Sequence, residues 1–231
     1  MLIPEEGSPE VCIHEASSWP PVVSPPPDPP KHTGGSHPEV ISLETGKLKK
    51  DSLTSALTSR RSPKEMKPVE GLAAGELGPF LEWSLGSRAE KRMYPSAGSR
   101  YPNRIFISIR HVDGLSPGLY EYLPDEHSLI PGGGSGNLAP ALVQPDLDFN
   151  FCLVIAADLP AAAQGYGFRG YRFTLMEAGH MVQNLQLAAR AMDWDAAPVG
   201  GFLDRPATEA LGLKGKGLSP LYLVPVGVAS E

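Results

Sequence analysis

The segment KRMYPSAGSRYPNRIFISIR, residues 91–110, sets four small residues, Pro95, Ser96, Ala97 and Gly98, between two Tyr-Pro pairs, and a strand-forming run follows at once. Such a bend either turns the chain and nothing more, or leaves room for something flat and large against bare backbone. The run RIFISIRHV (104–112) predicts a strand, and GLYEYL (118–123) predicts its neighbour, with GGGSG (132–136) as a turn beyond. FCLVIAA (151–157) is continuously apolar and predicts a buried strand, and PLYLVPVG (220–227) a last one.

Helices are predicted between these strands. SLTSALTSRR (52–61) follows Asp51 as a candidate N-cap, and GELGPFLEWSL (75–85) ends before Gly86. The longest helical pattern is YRFTLMEAGHMVQNLQLAARAM (171–192), in which Phe173, Met176, His180, Leu185 and Ala188 recur near helical spacing. So many other positions there are apolar or small that more than one face should be buried. Interspersed helices with strands close enough for hairpins predict an α+β fold rather than a doubly wound parallel one.

The chain has 231 residues, 41% of them hydrophobic, enough for one sizeable domain with its own core. A net charge of −6 argues against a nucleic-acid-binding surface. The acidic start MLIPEEGSPEV lacks the basic and apolar regions of a signal peptide. No apolar run approaches the roughly 18 residues needed to span a membrane. Cys12 and Cys152 fall in a tail and in an apolar run, so no disulfide is expected and the setting is read as the cytoplasm. Ten of the 25 prolines fall in the first 40 positions. Residues 1–50 are therefore read as a proline-rich, largely extended tether or strap, and 51–231 as the folded domain.

GYGFRG (165–170) satisfies G-x-G-x-x-G, but DLPAAAQ separates it from the preceding strand and about 60 residues follow, so a dinucleotide fold is not expected. Glu177 and His180 have E-x-x-H spacing, but a carboxylate-bridged metal site needs two such pairs, and no metal is expected. RRSPK (60–64) follows a short helix. Arginine supplies a rigid fork for phosphate and serine a short hydroxyl donor, although a solvated basic helix end reads the same way. PVGGF (198–202) is a second small-residue bend, where two glycines let backbone approach a ligand closely or simply turn.

In this order, the motifs resemble the nitroreductase-like flavin family and, within it, the SagB-type dehydrogenases. The matching stretches are Arg60–Lys64, Tyr94–Gly98, Tyr101-Pro102, Gly114–Tyr122, Tyr171–Asn184 with Glu177-Ala178-Gly179-His180, Pro198–Phe202 and Pro220–Gly227. The resemblance covers about residues 50–228. It implies a mostly antiparallel central sheet flanked by helices, with a long central helix at a homodimer interface, and it implies FMN. Arg60, Ser62 and Lys64 would hold the ribityl phosphate and the polar edge of the flavin. Pro95, Ser96, Ala97 and Gly98 would line the ring, usually from the second subunit. Pro198, Val199, Gly200 and Gly201 would pass close to the ring and aim an N–H at its N5.

Azoline-oxidising relatives commonly carry Lys-Tyr before the long helix, where this chain has Gly165-Tyr166, so Tyr166 is the candidate catalytic residue. Its last residues, VGVASE, carry no basic side chain where many relatives have one. The activity implied is oxidation of azoline-like heterocycles in a peptide or small molecule, with peptide-maturation proteins as possible partners. A NAD(P)H-dependent nitro- or quinone reductase and a degenerate flavin-fold scaffold are the alternatives.

Overall fold

A computed structural model describes residues 39–49, 52–144 and 146–230. Its core is an antiparallel sheet built on β8 (Phe151–Asp158), the apolar run expected to be a buried strand. β5 (Asn103–Ile109) lies on one side of β8 and β10 (Leu218–Ala229) on the other. β6 (Gly118–Leu123), β7 (Ser128–Pro131) and β1 (Ile41–Ser42) continue beyond β5. At the far edge β10 pairs with β2 (Met66–Lys67), and also with β9 (Asp195–Ala196). A separate hairpin joins β3 (Ser87–Arg88) to β4 (Lys91–Arg92).

The two-residue period of the strands sorts their side chains into two cores. Ile105, Ile107 and Ile109 of β5 and Phe151, Leu153 and Ile155 of β8 face one cluster. Phe106 of β5 and Cys152, Val154 and Ala156 of β8 face the other. Two helices cover the first face: α2 (Ala74–Leu85), through Leu77, Phe80, Leu81 and Leu85, and α4 (Arg169–Ala191), through Ala178, Met181, Val182 and Leu185. Phe80 is the aromatic centre, with ring centroids 5.7 Å from Phe151 and 5.4 Å from Trp194. On the second face sits the short α5 (Asp204–Ala210), through Ala207 and Ala210. The α+β architecture with a largely antiparallel sheet is as expected.

Several boundaries differ from expectation. The strand after the small-residue bend runs 103–109 and stops before residue 112, because the Arg110 and His111 N–H groups both turn to the Asn150 carbonyl at 2.9 Å, which ends the ladder. The stretch after β8, which the sequence shows only as separating that strand from the glycines, is the helix α3 (Leu159–Tyr166). It is capped by Asp158, whose Oδ1 accepts from Ala161 N at 2.9 Å, and Pro160 lies in its first turn. The first helix, α1 (Leu53–Ser59), is capped by Ser52. Asp51 and the boundary expected at 50/51 lie outside the described residues, as do residues 1–38 of the proline-rich stretch. Its described end, residues 39–49, crosses β7 and α2. Trp83 Nε1 donates to Gly46 O at 2.7 Å, Lys49 pairs with Glu76 at 2.6 Å, and a Cβ on Gly78 would collide with the Glu44 carbonyl.

Candidate active site

The 23-residue helix α4 organises the site, because the segments flagged in the sequence attach to it at two levels. The first is Glu177. This side chain is buried beneath the small-residue bend; its Oε1 accepts from Asn103 N at 3.3 Å, and it bonds the Ser96 hydroxyl. Ser96 Oγ also accepts from Tyr101 N at 2.9 Å, closing the turn Ser96–Tyr101. Gly98, Ser99 and Tyr101 all take left-handed backbone angles, φ 60°, 53° and 49°. Only glycine adopts that conformation without strain, so the turn holds its shape through its anchors. Arg92 supplies another anchor: it stacks 4.9 Å from the Tyr101 ring and bonds Tyr94 Oη at 3.2 Å and Asp125 at 2.9 Å.

Tyr166, the last residue of α3, lies against this turn. A Cβ on Gly98 would collide with its hydroxyl, so the missing side chain is what admits the phenol. Phe173 holds the tyrosine ring edge-on at 4.9 Å, and the Arg100 guanidinium is 6.0 Å from it. Ser96, Ala97, Arg100, Tyr166, Phe173 and Glu177 line a cavity of about 10 Å³. Burial pushes the Glu177 carboxyl up to about 7, against the opposing bonds from Ser96 and Asn103 and the charge of Arg92.

The second level is Gln186. Its Nε2 reaches Ser62 Oγ at 3.0 Å, and Arg61 O and Ala196 O at 3.3 Å each, tying the basic segment to the strand that leads into Pro198. Arg60 Nη1 donates to Ser62 Oγ at 3.2 Å, and Lys64 is exposed. Arg61 does something else. It forks onto the fully buried Asp195 at 3.0 and 2.8 Å, and Arg190 and Ala229 N reach the same carboxylate at 3.0 Å each. Burial would raise the Asp195 carboxyl, but the Arg61 and Ala229 bonds and the Arg190 charge hold it below its ordinary value. Val199 exchanges two backbone bonds with Leu223, 2.8 and 3.1 Å, which leaves Gly200 and Gly201 exposed. Nothing lies within 4 Å of where a Gly201 side chain would begin.

The structure thus joins Pro95–Gly98 to Tyr166, and Arg60–Ser62 to the strand before Pro198–Gly201, but not one group to the other. Glu177 and Gln186 are nine residues apart. On an α-helix that is about 13.5 Å along the axis and half a turn around it, so the two groups leave α4 on opposite sides. Glu177, Gln186 and Asp195 were not expected as site residues. For the two on α4, the available signal was an acid and an amide set among apolar and small neighbours. His180, three residues from Glu177, is exposed.

The nitroreductase family model matches residues 57–228, three quarters of the chain. The chain belongs to the nitroreductase family. It is therefore an oxidoreductase of the nitroreductase-like fold, similar to SagB-type members. A Methanocaldococcus jannaschii protein described as a candidate nitroreductase is 32% identical over 196 residues, 82% of this chain and 97% of that protein. Escherichia coli McbC, a microcin B17-processing protein, is 28% identical over 147 residues, 58% of this chain and 53% of its own length. The solved E. coli McbBCD synthetase complex, with a truncated pro-microcin bound, contains a chain that superposes with TM-score 0.67 at 24% identity, covering 80% of this chain and 76% of that one. A nitroreductase-fold structure from Exiguobacterium sibiricum, solved with FMN, superposes with TM-score 0.57 at 16% identity over 82% of this chain and 92% of that one. Among the described residues of this nitroreductase-family chain, no helix is long and apolar enough to cross a membrane.

Proposed function

We propose that this protein is an FMN-dependent, SagB-type dehydrogenase that oxidises azoline-like heterocycles in a peptide or small molecule, working as a homodimer in the cytoplasm. The observation that carries the proposal is the seating of Tyr166 on Gly98, which puts an acid–base group against the turn expected to line a flavin ring.

The residues fit FMN. Arg60, Ser62 and Lys64 offer charge-assisted and hydroxyl donors for a phosphate, and Arg61 is not part of that set, because Asp195 holds it. Gly200 and Gly201 present exposed backbone; the space at Gly201 is open, and the Tyr222 ring lies 3.7 Å from where a Gly200 side chain would begin. FMN, when bound, supplies the hydride acceptor at N5 and is reoxidised by oxygen. The chain's own work is to hold the cofactor through Arg60, Ser62 and Lys64, to exclude bulk from the ring with Pro95–Gly98, and to take a proton from the substrate at Tyr166 Oη.

Opposite faces of α4 carry the two groups, so one flavin needs the ring-lining half of one protomer and the phosphate half of its partner. A two-fold dimer along α4 meets that need. It also covers Tyr171, Leu175 and Met176, which are 40%, 42% and 56% exposed on this helix in the single chain. The E. coli relative's name and the bound pro-microcin support a peptide substrate and peptide-maturation partners.

The test is single-turnover flavin reduction by purified protein loaded with FMN. An azoline-containing peptide should bleach the flavin anaerobically. Bleaching by NADPH alone, with turnover of a nitroaromatic and no response to the azoline, would replace this reading with a nitro- or quinone reductase. A colourless protein that cannot be reconstituted with FMN would make it a scaffold.

A further inference from the structure

The proton that Tyr166 takes must go somewhere, and a free phenol titrates near 10, too high to act alone at neutral pH. Gly165, the residue before this tyrosine, offers no cationic side chain to lower that value. We propose that Glu177 is the proton acceptor behind Tyr166, relaying through the small cavity that the two side chains share. The inference rests on the reading of Tyr166 given above.

Four observations support it. Glu177 is 2% exposed, so its proton cannot pass to bulk water without a relay. It lines the same cavity as the tyrosine, and about 10 Å³ is the space one water needs to link two polar groups. Its carboxyl, pushed up to about 7 chiefly by burial, is poised where a base at neutral pH works best. Asn103 bonds the carboxyl, yet among the described residues its own buried Oδ1 has no hydrogen-bond partner, and a carboxyl carrying a proton is a neighbour able to donate one.

Charged and titratable groups face Glu177 from three neighbouring segments. They are Arg92 of β4, Tyr94 and Arg100 of the following loop, and Tyr166 of α3. Arg92 lowers the carboxyl's pKa, but its charge is shared with Asp125 and Tyr94. β5 contributes Asn103, which is neutral.

The step balances. A ring carbon of the azoline gives its proton to Tyr166 Oη as the hydroxyl proton passes to the Glu177 carboxylate. The adjacent carbon gives a hydride to the oxidised flavin, and a C=C bond remains in the ring. Glu177 does not touch the substrate and is a positioning and relay residue.

The test combines a titration with a rate profile. In FMN-loaded protein with ¹³C-labelled glutamate, one carboxyl signal should titrate between pH 6 and 8 and be missing in Glu177→Gln. The amide keeps an acceptor for Asn103 N–H. The wild-type rate of flavin reduction should rise with pH through that same range. Glu177→Gln should lose this ionisation and fall by about 100-fold, the usual scale for acid–base catalysis. If no glutamate carboxyl of the wild type titrates between pH 6 and 8, the proposal is overturned, and this wild-type measurement stands even where the variant does not fold. A Glu177→Gln profile identical to wild type also overturns it, leaving Glu177 as an anchor of the turn. If Tyr166→Phe reduces flavin at the wild-type rate, the reading of Tyr166 falls and the relay with it. A slowed Tyr166→Phe beside an unchanged Glu177→Gln defeats only the relay.

Discussion

Replacing Gly98 with alanine tests the contact on which the site is built. The new Cβ meets two separate costs. At φ 60° a non-glycine residue costs about 1 kcal/mol. The Cβ also collides with the Tyr166 hydroxyl, so the ring must swing away from Phe173, whose centroid is 4.9 Å off. Losing that edge-on pair adds roughly 1 kcal/mol. Gly98→Ala should therefore destabilise by about 2 kcal/mol. In a Tyr166→Phe background the hydroxyl is gone, and the nearest ring atom, Cζ, sits 3.6 Å from the Cβ, an ordinary contact. There the substitution should cost only the backbone term, about 1 kcal/mol. Urea unfolding of the four proteins, compared at a common m value, closes the cycle. The two substitutions should couple by about 1 kcal/mol. Additivity within roughly 0.3–0.5 kcal/mol, the range for independent sites, would refute the contact between Tyr166 and the turn.

Other consequences separate the roles of neighbouring residues. Arg60→Ala should weaken FMN binding by tenfold or more, loss of a charge-assisted bond worth roughly 1.5–3 kcal/mol, with an unchanged melting temperature; equal occupancy at limiting FMN would count against it. Asp195→Ala leaves Arg190, whose side chain is only 17% exposed, without its carboxylate. It should cost roughly 3 kcal/mol or more in chemical denaturation, as breaking a buried pair does. Glu177 predicts a pH signature in stability. Its folded value, about 7, lies above the unfolded 4.5, so its contribution is complete below pH 4.5 and is lost as pH rises to about 7. Glu177→Gln should thus unfold later than wild type at pH 8 relative to pH 4, by melting temperature.

Much of the fold was legible because its central strands carry their own signals. β6 matches GLYEYL throughout, and β8 and β10 extend their predicted runs by a few residues at the ends. The two-residue strands β1, β2 and β9 carry no pattern of their own and exist because a longer strand pairs with them. α3 was not legible although Asp158 and Pro160 are ordinary helix-start residues, because Gly165 within it and Gly167 at its end weaken an already short helical pattern. In the site, residue types were informative and partners were not. Glu177 invited comparison with His180, yet it bonds Asn103, 74 positions away. Arg60 and Arg61 looked equivalent, but only Arg61 meets Asp195, 134 positions away. Contacts that distant depend on packing and leave no periodic trace.

The central claim is that each flavin needs half a site from each of two protomers, and mixing two defective variants tests it most directly. One variant carries Arg60→Ala and Ser62→Ala; the other carries Gly98→Tyr, which fills the ring-lining turn. Each alone should bind little FMN. Unfolded together, refolded and shown by tagged co-purification to form mixed dimers, they should recover about a quarter of wild-type flavin absorbance, because half the dimers are mixed and each of those has one intact site. Mixed dimers that stay colourless, or a wild-type monomer that holds a full equivalent of FMN, would contradict the account.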